Sequence, residues 1–264
     1  MTNDKFKRPF REKKKKSFSS PHKKTTDPGL TRLNKYIANA GICSRREADE
    51  LIANGLISVN GKVVTEMGFK IKEGDVVKYG GHALNTEKKQ YVILNKPKDY
   101  ITTTDDPGGR KNVMELIAGA CRERIYPVGS IERNTKGVLL ITNDGELAKK
   151  LTHPKHKVPK YYQVVADKSI TRADLEAMMK GIKLEDGFIA VDSAEFIRGS
   201  ESKKEVAIEI HSGKNRIVRR IFEHLGYKVM KLDRIGFAGL TKKDIPRGTW
   251  RHLTEKEVAF LKML

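Results

Sequence analysis

From residue 91 to the C-terminus, strand-like and helix-like segments follow one another in an irregular order. A regular alternation would indicate a parallel sheet with crossover helices, whereas an irregular one favours an α+β fold. Glu185-Asp186-Gly187 has the composition of a hairpin turn, which joins antiparallel strands. We therefore predict a mixed, mainly antiparallel sheet. The strand-like runs are 91–95, 125–128, 138–142, 161–166, 189–196, 205–211 and 228–235, and the helix-like segments are 112–120, 144–151, 171–181, 215–225 and 254–263.

Residues 30–80 predict a smaller module of two helices followed by a hairpin. A first amphipathic segment ends at Gly41, a residue typical of helix C-termini. Ser44 and Glu47 have the spacing of a capping box, which begins a second helix. Asn60-Gly61 between alternating apolar residues is a strong hairpin signal. The polar stretch 81–90 is predicted to link this module to a larger domain, 91–264.

The small module resembles the ribosomal-protein-S-four-type RNA-binding domain. Arg45 and Arg46 would lie in the first turn of its second helix, where the helix dipole disfavours cations. They are either an ordinary solvated pair or, as we favour, contacts for RNA phosphates. The resemblance rests on Leu33-Asn34-Lys35, Gly41, Ser44 to Ala48, Gly55 and Val59-Asn60-Gly61. The RNA-binding residues predicted here are Lys35, Ser44, Arg45, Arg46 and Asn60.

The chain is strongly basic, with 53 Lys and Arg against 33 Asp and Glu and a net charge of +20. Ten of these basic residues and three of the acidic ones fall in residues 1–29, so the rest of the chain keeps a net charge of +13. A chain with this much positive charge attracts polyanions, and we predict nucleic acid as the partner. Residues 1–29 are predicted to be a disordered arm that either solubilises the chain or binds RNA without sequence preference.

Cysteine content and hydropathy exclude several classes of protein. Cys43 and Cys121 can form neither a disulfide framework nor a CxxC metal clip, which indicates a reducing, cytoplasmic compartment. No apolar run approaches the length of a membrane span, and the basic N-terminus lacks the apolar core of a secretory signal. A membrane-surface protein is disfavoured because the basic residues alternate with β segments instead of lining one amphipathic helix. His153 and His156 form an isolated HxxH that we interpret as RNA-facing or structural, so we expect no metal.

One candidate for chemistry is Glu132, the single carboxylate in a loop that also holds Arg133 and Lys136. The cationic neighbours favour its ionised form. An ionised carboxylate on a loop held between two strands is able to act as a nucleophile or base. The same pattern is also typical of a surface ion pair, and the residues alone favour that interpretation.

Two further segments are candidates for contact with an RNA backbone. Asn95-Lys96-Pro97 follows a strand, and the polar loop after it ends at Arg110. In the segment 211–222, a strand end and a glycine turn precede a helix. Arg216, Arg219 and Arg220 are spaced i, i+3, i+4 there and are predicted to share one helical face. Three arginines on one face repel each other unless an anion or a carboxylate balances them.

Together these segments resemble the RsuA/RluB-type family of ribosomal RNA pseudouridine synthases, over about residues 31–260. The resemblance implies a reaction in which the glycosidic bond of a uridine breaks and the uracil turns and rejoins through carbon 5. It implies ribosomal RNA as partner, with the large subunit favoured, no cofactor, and a monomer. The matching elements are Lys96-Pro97, Thr142-Asn143-Asp144-Gly145, Lys160-Tyr161-Tyr162-Gln163-Val164, the 213–220 element and the 246–254 stretch.

The resemblance also assigns residue roles. Glu132 occupies the position of the catalytic Asp, Tyr162 that of the base-stacking Tyr, and Arg219 that of the Arg that pairs with the catalytic carboxylate. With the charge pattern, the RNA-binding residues predicted in the larger domain are Lys96, Arg110, Arg133, Lys214, Arg216 and Arg220.

Two positions depart from the family pattern Gly-Arg-Leu-Asp, because this chain has Gly129-Ser130-Ile131-Glu132. Ser130 replaces an arginine that contacts RNA in the family, and Glu132 is one methylene longer than Asp. The chain is predicted to be an RNA pseudouridine synthase. The alternative is a catalytically impaired family member that acts as an RNA-binding ribosome-assembly factor.

Overall fold

The computed structural model describes residues 29–197, 199 and 202–264. They divide into two compact units, one with the described residues up to Tyr36 and Arg45–Leu84, the other with Ile37–Ser44 and Asn85–Leu264. The predicted basic arm, apart from Gly29, lies outside the described residues. Within the described ranges, no helix is long and apolar enough to cross a membrane.

The chain before residue 85 contains the two predicted helices and two small antiparallel sheets. Strand pairing joins β1 to β4, and a second sheet has the order β3-β2-β5-β6. The predicted hairpin at Asn60-Gly61 is confirmed, with φ of 50° and 79° at these residues, as a two-residue hairpin turn requires. The elements are β1 (Leu30–Arg32), α1 (Leu33–Asn39), α2 (Arg45–Ala53), β2 (Ile57–Val59), β3 (Lys62–Val63), β4 (Lys70–Lys72), β5 (Val77–Tyr79) and β6 (His82–Ala83).

The rest of the chain follows the predicted irregular order of strands and helices. Its elements are β7 (Tyr91–Lys96), α3 (Val113–Leu116), β8 (Tyr126–Pro127), β9 (Lys136–Thr142), α4 (Gly145–Thr152), a 3-10 turn (Pro154–His156), β10 (Lys160–Ala166), α5 (Arg172–Lys180), β11 (Ile182–Leu184), β12 (Gly187–Ile189), β13 (Ser193–Phe196), β14 (Glu205–Ile210), α6 (Ile217–His224), β15 (Val229–Phe237), β16 (Leu240–Thr241), β17 (Trp250–His252) and α7 (Glu255–Met263).

Within the described residues, one large sheet has the order β13-β14-β10-β15-β9-β7-β17, with β8 and β16 paired beside β9 and β15. Of its pairings, only that between β9 and β15 is parallel. The predicted α+β class with a mixed, mainly antiparallel sheet is therefore confirmed. β11 and β12 form a separate hairpin around the predicted turn at Asp186.

The centre of the sheet is buried on both faces. On β9, Val138 and Leu140 belong to one apolar cluster, whereas Leu139 and Ile141 belong to another on the opposite face. A strand covered on both sides needs apolar residues at every position, which explains why this segment shows no polar–apolar alternation. A third cluster holds Tyr162 of β10 against α5 and α6.

Two predicted elements differ from the structure. The strand expected over 189–196 is broken, because the amide of Val191 donates to Met178 and the amide of Asp192 to Glu209, so the chain turns between β12 and β13. The helix expected over 112–120 is only the four residues of α3, which is followed by Gly119 in a left-handed conformation (φ 92°). In the sequence, Thr171 and Asp174 have the spacing of a helix cap, and this cap of α5 is present, since Thr171 Oγ1 accepts from the amide of Asp174 at 3.1 Å.

Candidate active site

A cleft of about 550 Å³ opens in the larger unit. It is lined by the loop before β9, by β10 and β15, by the loop after β7, and by the segment that leads into α6. These elements are far apart in sequence and meet because β9, β15 and β10 are neighbours in the sheet. The predicted site residues that line the cleft are Arg110, Glu132, Arg133, Tyr162, Lys214 and Arg216.

A tight loop between β8 and β9 presents Glu132. The loop begins after Gly129, which has a φ of 68°, a left-handed conformation that glycine adopts without strain. The amide of Thr135 donates to the carbonyl of Glu132 at 3.0 Å and closes a turn. Ile131 is buried, with 6% of its surface exposed. The loop is thus anchored in the interior at Ile131, while Glu132 lines the cleft.

Lys96 supports this loop from the protein interior. Its side chain is fully buried, and its ammonium donates to the carbonyls of Pro97 (2.9 Å), Arg133 (3.1 Å) and Thr135 (2.9 Å). Burial lowers the pKa of Lys96 to about 8, against the opposing effect of Asp99. The prediction that Lys96 binds RNA is therefore wrong for this structure, because all three donors are directed at backbone carbonyls and none at the surface.

The Glu132 carboxylate is held by two arginines of the α6 segment. Arg219 Nε donates to Glu132 Oε2 at 2.8 Å, and Arg216 Nη1 donates to the same oxygen at 3.0 Å. Arg219 is itself fixed, since its Nη1 donates to the carbonyl of Val229 at 3.0 Å and only 12% of its side chain is exposed. Arg219 therefore pairs with Glu132 as the resemblance implies.

Tyr162 lies on β10 and lines the cleft with 9% of its surface exposed. Two cations near it were missed by the sequence analysis. Arg234 is opposite Tyr162 in the pairing of β10 with β15, is almost fully buried, and donates from Nε to the Val138 carbonyl at 2.8 Å. Lys160 also lines the cleft, and burial together with the charge of Arg234 lowers its pKa to about 8.

The sequence offers a signal for only one of these two cations. Lys160 stands next to the Tyr161-Tyr162 pair, so its alternation on the strand places it on the same face as Tyr162. Arg234 lies in a strand-like run with no neighbouring motif, and its position depends on a pairing across the sheet that no local pattern encodes. Its guanidinium also stacks over the ring of Phe237 at 4.7 Å from the ring centre.

Arg220 does not share the arrangement of Arg216 and Arg219. Its two terminal nitrogens bind the Asp186 carboxylate at 2.7 and 3.0 Å, and Lys214 Nζ donates to the Asp186 carbonyl at 3.0 Å. The hydrogen bond from Arg220 lowers the pKa of Asp186. The prediction that the three arginines share one helical face is thus wrong in detail, because Arg216 precedes the helix. The expectation that a carboxylate balances each arginine agrees with the structure.

The remaining predicted RNA-binding residues are exposed or have other partners. Arg110 is exposed and binds Asp106 at 2.6 Å, and Arg133 is exposed with Asp99 at 3.6 Å. In the N-terminal part, Arg45 and Arg46 are exposed in the first turn of α2, whereas Lys35 and Ser44 are half-buried. The exposed Asn60 side chain bonds to Asp75 and to the amide of Val76.

Comparison with known proteins identifies both parts of the chain. Residues 90–224 match the RNA pseudouridylate synthase family, and residues 31–77 match the S4 domain. The ribosomal large subunit pseudouridine synthase B of Bacillus subtilis is 40% identical, over 89% of this chain and 97% of that protein. The dual-specificity RNA pseudouridine synthase RluF of Escherichia coli K12 is 35% identical, over 86% of this chain and 77% of that protein.

Solved structures agree with the sequence relatives. A crystal structure of a pseudouridylate synthase has a TM-score of 0.61 with 26% identity, over 87% of this chain and 99% of that one. The family resemblance inferred from the sequence is therefore confirmed, and so is the S4 domain at the N-terminal side. The chain belongs to the RNA pseudouridine synthase family.

Proposed function

We propose that this enzyme isomerises a uridine of large-subunit ribosomal RNA to pseudouridine, with Glu132 as its catalytic carboxylate. The observation that carries the proposal is the ion pair of Arg219 with Glu132, which lines the same cleft as Tyr162. The name of the Bacillus subtilis relative supports the large subunit as the substrate class. We also propose that the enzyme acts in the reducing cytoplasm, on the grounds of its cysteine content, and that it is a monomer, on the grounds of the family resemblance.

Each of the three residues has a distinct task in this reaction. The bond between uracil N1 and ribose C1′ breaks, the base turns, a bond forms between C5 and C1′, and a proton leaves C5 while N1 gains one. Glu132 acts at the sugar, where a carboxylate either attacks C1′ or removes a proton. Tyr162 offers its ring to the uracil, and Arg219 fixes the carboxylate. The target nucleotide must first leave its helix, since the reacting atoms are otherwise stacked.

RNA contacts outside the carboxylate are proposed for three further cations. Arg110, Arg133 and Lys214 line the cleft and would bind phosphates on either side of the flipped nucleotide. Arg220 holds the β11–β12 hairpin beside Lys214 through Asp186. In the N-terminal module, phosphate contacts are proposed for Lys35, Ser44, Arg45, Arg46 and Asn60.

The alternative of a catalytically impaired assembly factor gains no support. It rested on Glu132 and Ser130, but Glu132 reaches Arg219 at hydrogen-bond distance in spite of its extra methylene. The relatives named above are described as pseudouridine synthases.

The test is in vitro modification of unmodified large-subunit ribosomal RNA by the purified protein, mapped by carbodiimide chemistry. We expect at least one uridine to become pseudouridine, and we expect Glu132→Gln, which keeps the shape but removes the charge, to modify none. A chromosomal deletion should remove the same site from cellular RNA. Unmodified RNA after incubation with the unsubstituted enzyme, together with an unchanged map in the deletion strain, would refute the proposal.

A further inference from the structure

We propose that Arg216 is a second positioning residue for the Glu132 carboxylate, and not the RNA contact that the sequence suggests. The inference rests on the proposed function, because it concerns the geometry of the carboxylate assigned to catalysis there. It predicts that Arg216 affects the rate of the chemical step and not the affinity for RNA. The contacts, the backbone conformation and the origin of the neighbouring charges each support it.

Both arginines bind one oxygen of the carboxylate and leave the other free. Arg219 Nε and Arg216 Nη1 donate to Glu132 Oε2 at 2.8 and 3.0 Å. In the part of the chain that the structure describes, no group donates a hydrogen bond to Oε1. Two donors on one oxygen fix the position of Oε2 and leave Oε1 without a hydrogen bond from either arginine. Oε1 is thus the oxygen available to the substrate.

The loop that carries Glu132 supplies no donor to the carboxylate itself. Ser130 stands where the family resemblance expects an arginine, and Arg133 lies 3.6 Å from Asp99 instead. Both positioning cations therefore come from the α6 segment. A glutamate has one more side-chain torsion than an aspartate, so a second anchor is needed to restrict it to one geometry.

Arg216 is itself fixed in place. Its Nη2 donates at 3.2 Å to Oε1 of Glu223, which lies 7 residues further along the chain in α6. The guanidinium thus bridges two carboxylates, with its planar fork directed at both. Because 46% of its side chain remains exposed, the contact depends on this second tether and not on burial.

The backbone of Arg216 points to the same use of its side chain. It has φ 50° and ψ 25°, a left-handed conformation at the N-cap of α6, and its side chain makes no capping hydrogen bond. Most residues with a Cβ avoid this conformation, and glycine or asparagine would fit it better. Backbone of this kind persists where the surrounding structure holds the residue in place, and it is frequent at active sites. Here the requirement is the contact with Glu132.

The experiment compares Arg216→Gly, Arg216→Ala and the charge-matched control Arg172→Ala under single-turnover conditions with substrate RNA. Arg172 is exposed at the start of α5 and does not line the cleft. The observed rate constant is measured at increasing enzyme concentration. Its concentration dependence gives the Kd for RNA, and its plateau gives the rate constant of the chemical step. Thermal unfolding of each variant is measured in parallel.

We expect both Arg216 variants to lose about 10- to 100-fold in the rate constant at saturating enzyme, because a displacement near 1 Å can cost roughly 100-fold. Kd should change by less than about threefold, as for Arg172→Ala, the scale of one exposed charge. Arg216→Gly should unfold at the same temperature as the unsubstituted enzyme or higher, since glycine relieves the left-handed strain.

The opposite pattern would overturn the inference. If Kd rises as much as the rate constant falls, or if only Kd changes, Arg216 is an RNA contact. If Arg216→Gly keeps the unsubstituted rate constant, Arg219 alone positions Glu132, while the proposed function still stands. Absence of pseudouridine with the unsubstituted enzyme would instead refute the proposed function, and this inference with it.

Discussion

Glu132→Asp is the most discriminating substitution at the active site, because family resemblance and structure predict opposite effects. The family has Asp at this position, so the substitution restores the common residue. In this structure, however, the two arginines are placed for the longer side chain. Shortening it by one carbon–carbon bond withdraws the carboxylate by about 1.5 Å.

The magnitude follows from the contacts of Glu132. If the arginines stay in place, the distances of 2.8 Å to Arg219 Nε and 3.0 Å to Arg216 Nη1 lengthen by that amount, beyond the limit of a hydrogen bond. Arg219 cannot follow easily, because it is held to the Val229 carbonyl. A misplacement of this size costs roughly 100-fold in rate, or about 2.7 kcal/mol of transition-state stabilisation.

The assay is kcat/KM for pseudouridine formation on a ribosomal RNA fragment, measured for Glu132→Asp alone and combined with Ser130→Arg. We expect the single variant to lose about 100-fold in kcat/KM, by the same estimate. With kcat and KM determined separately, the double variant should have a lower KM than Glu132→Asp, because it gains an RNA-contacting arginine, without recovering kcat. A Glu132→Asp enzyme as fast as the unsubstituted one, or faster, would refute the reasoning that α6 is adapted to glutamate.

Three further outcomes follow from other parts of the structure. Because the pKa of Lys160 lies at about 8, RNA affinity should fall between pH 7 and pH 9 as Lys160 loses its proton, and Lys160→Met should show a flatter dependence in equilibrium binding. Gly137→Ala should lower the free energy of unfolding, measured in urea, by about 3 kcal/mol, because the added Cβ would lie 2.1 Å from the Arg234 carbonyl oxygen at a φ of 107°. The control Gly213→Ala, at a position with open space around it, should change stability little. Removal of residues 1–29 should make the slope of log affinity against log salt shallower, by about 0.7 for each RNA phosphate that the arm neutralises; an unchanged slope would exclude the arm from the interface.

Local signals were sufficient for most elements of the fold. Turn residues such as Asn60-Gly61 and a cap such as Thr171 depend only on backbone geometry within a few residues, and both predictions agree with the structure. The run 138–142 was predicted as a strand and lies within β9. Short strands such as β1 and β4 carry no periodicity and were not predicted, since they are defined by pairing alone.

The active site was only partly accessible from sequence. Glu132, Tyr162 and Arg219 were identified by family resemblance, whereas composition alone favoured a surface ion pair. Lys96 was predicted to bind RNA from the family resemblance and the charge pattern, but it is buried against three carbonyls from loops that meet only in the folded chain. Arg234 was missed for the same reason, because its environment comes from β9 and β10.

The parallel pair of β9 and β15 has a consequence for how the enzyme matures. It joins Gly137 to Arg234, positions 97 residues apart in the chain. Closing so long a segment is entropically unfavourable until the intervening structure has formed. We therefore expect the site around Glu132 to be completed late in folding, because a nascent chain whose synthesis has not passed β15 lacks the strand that pairs in parallel with β9.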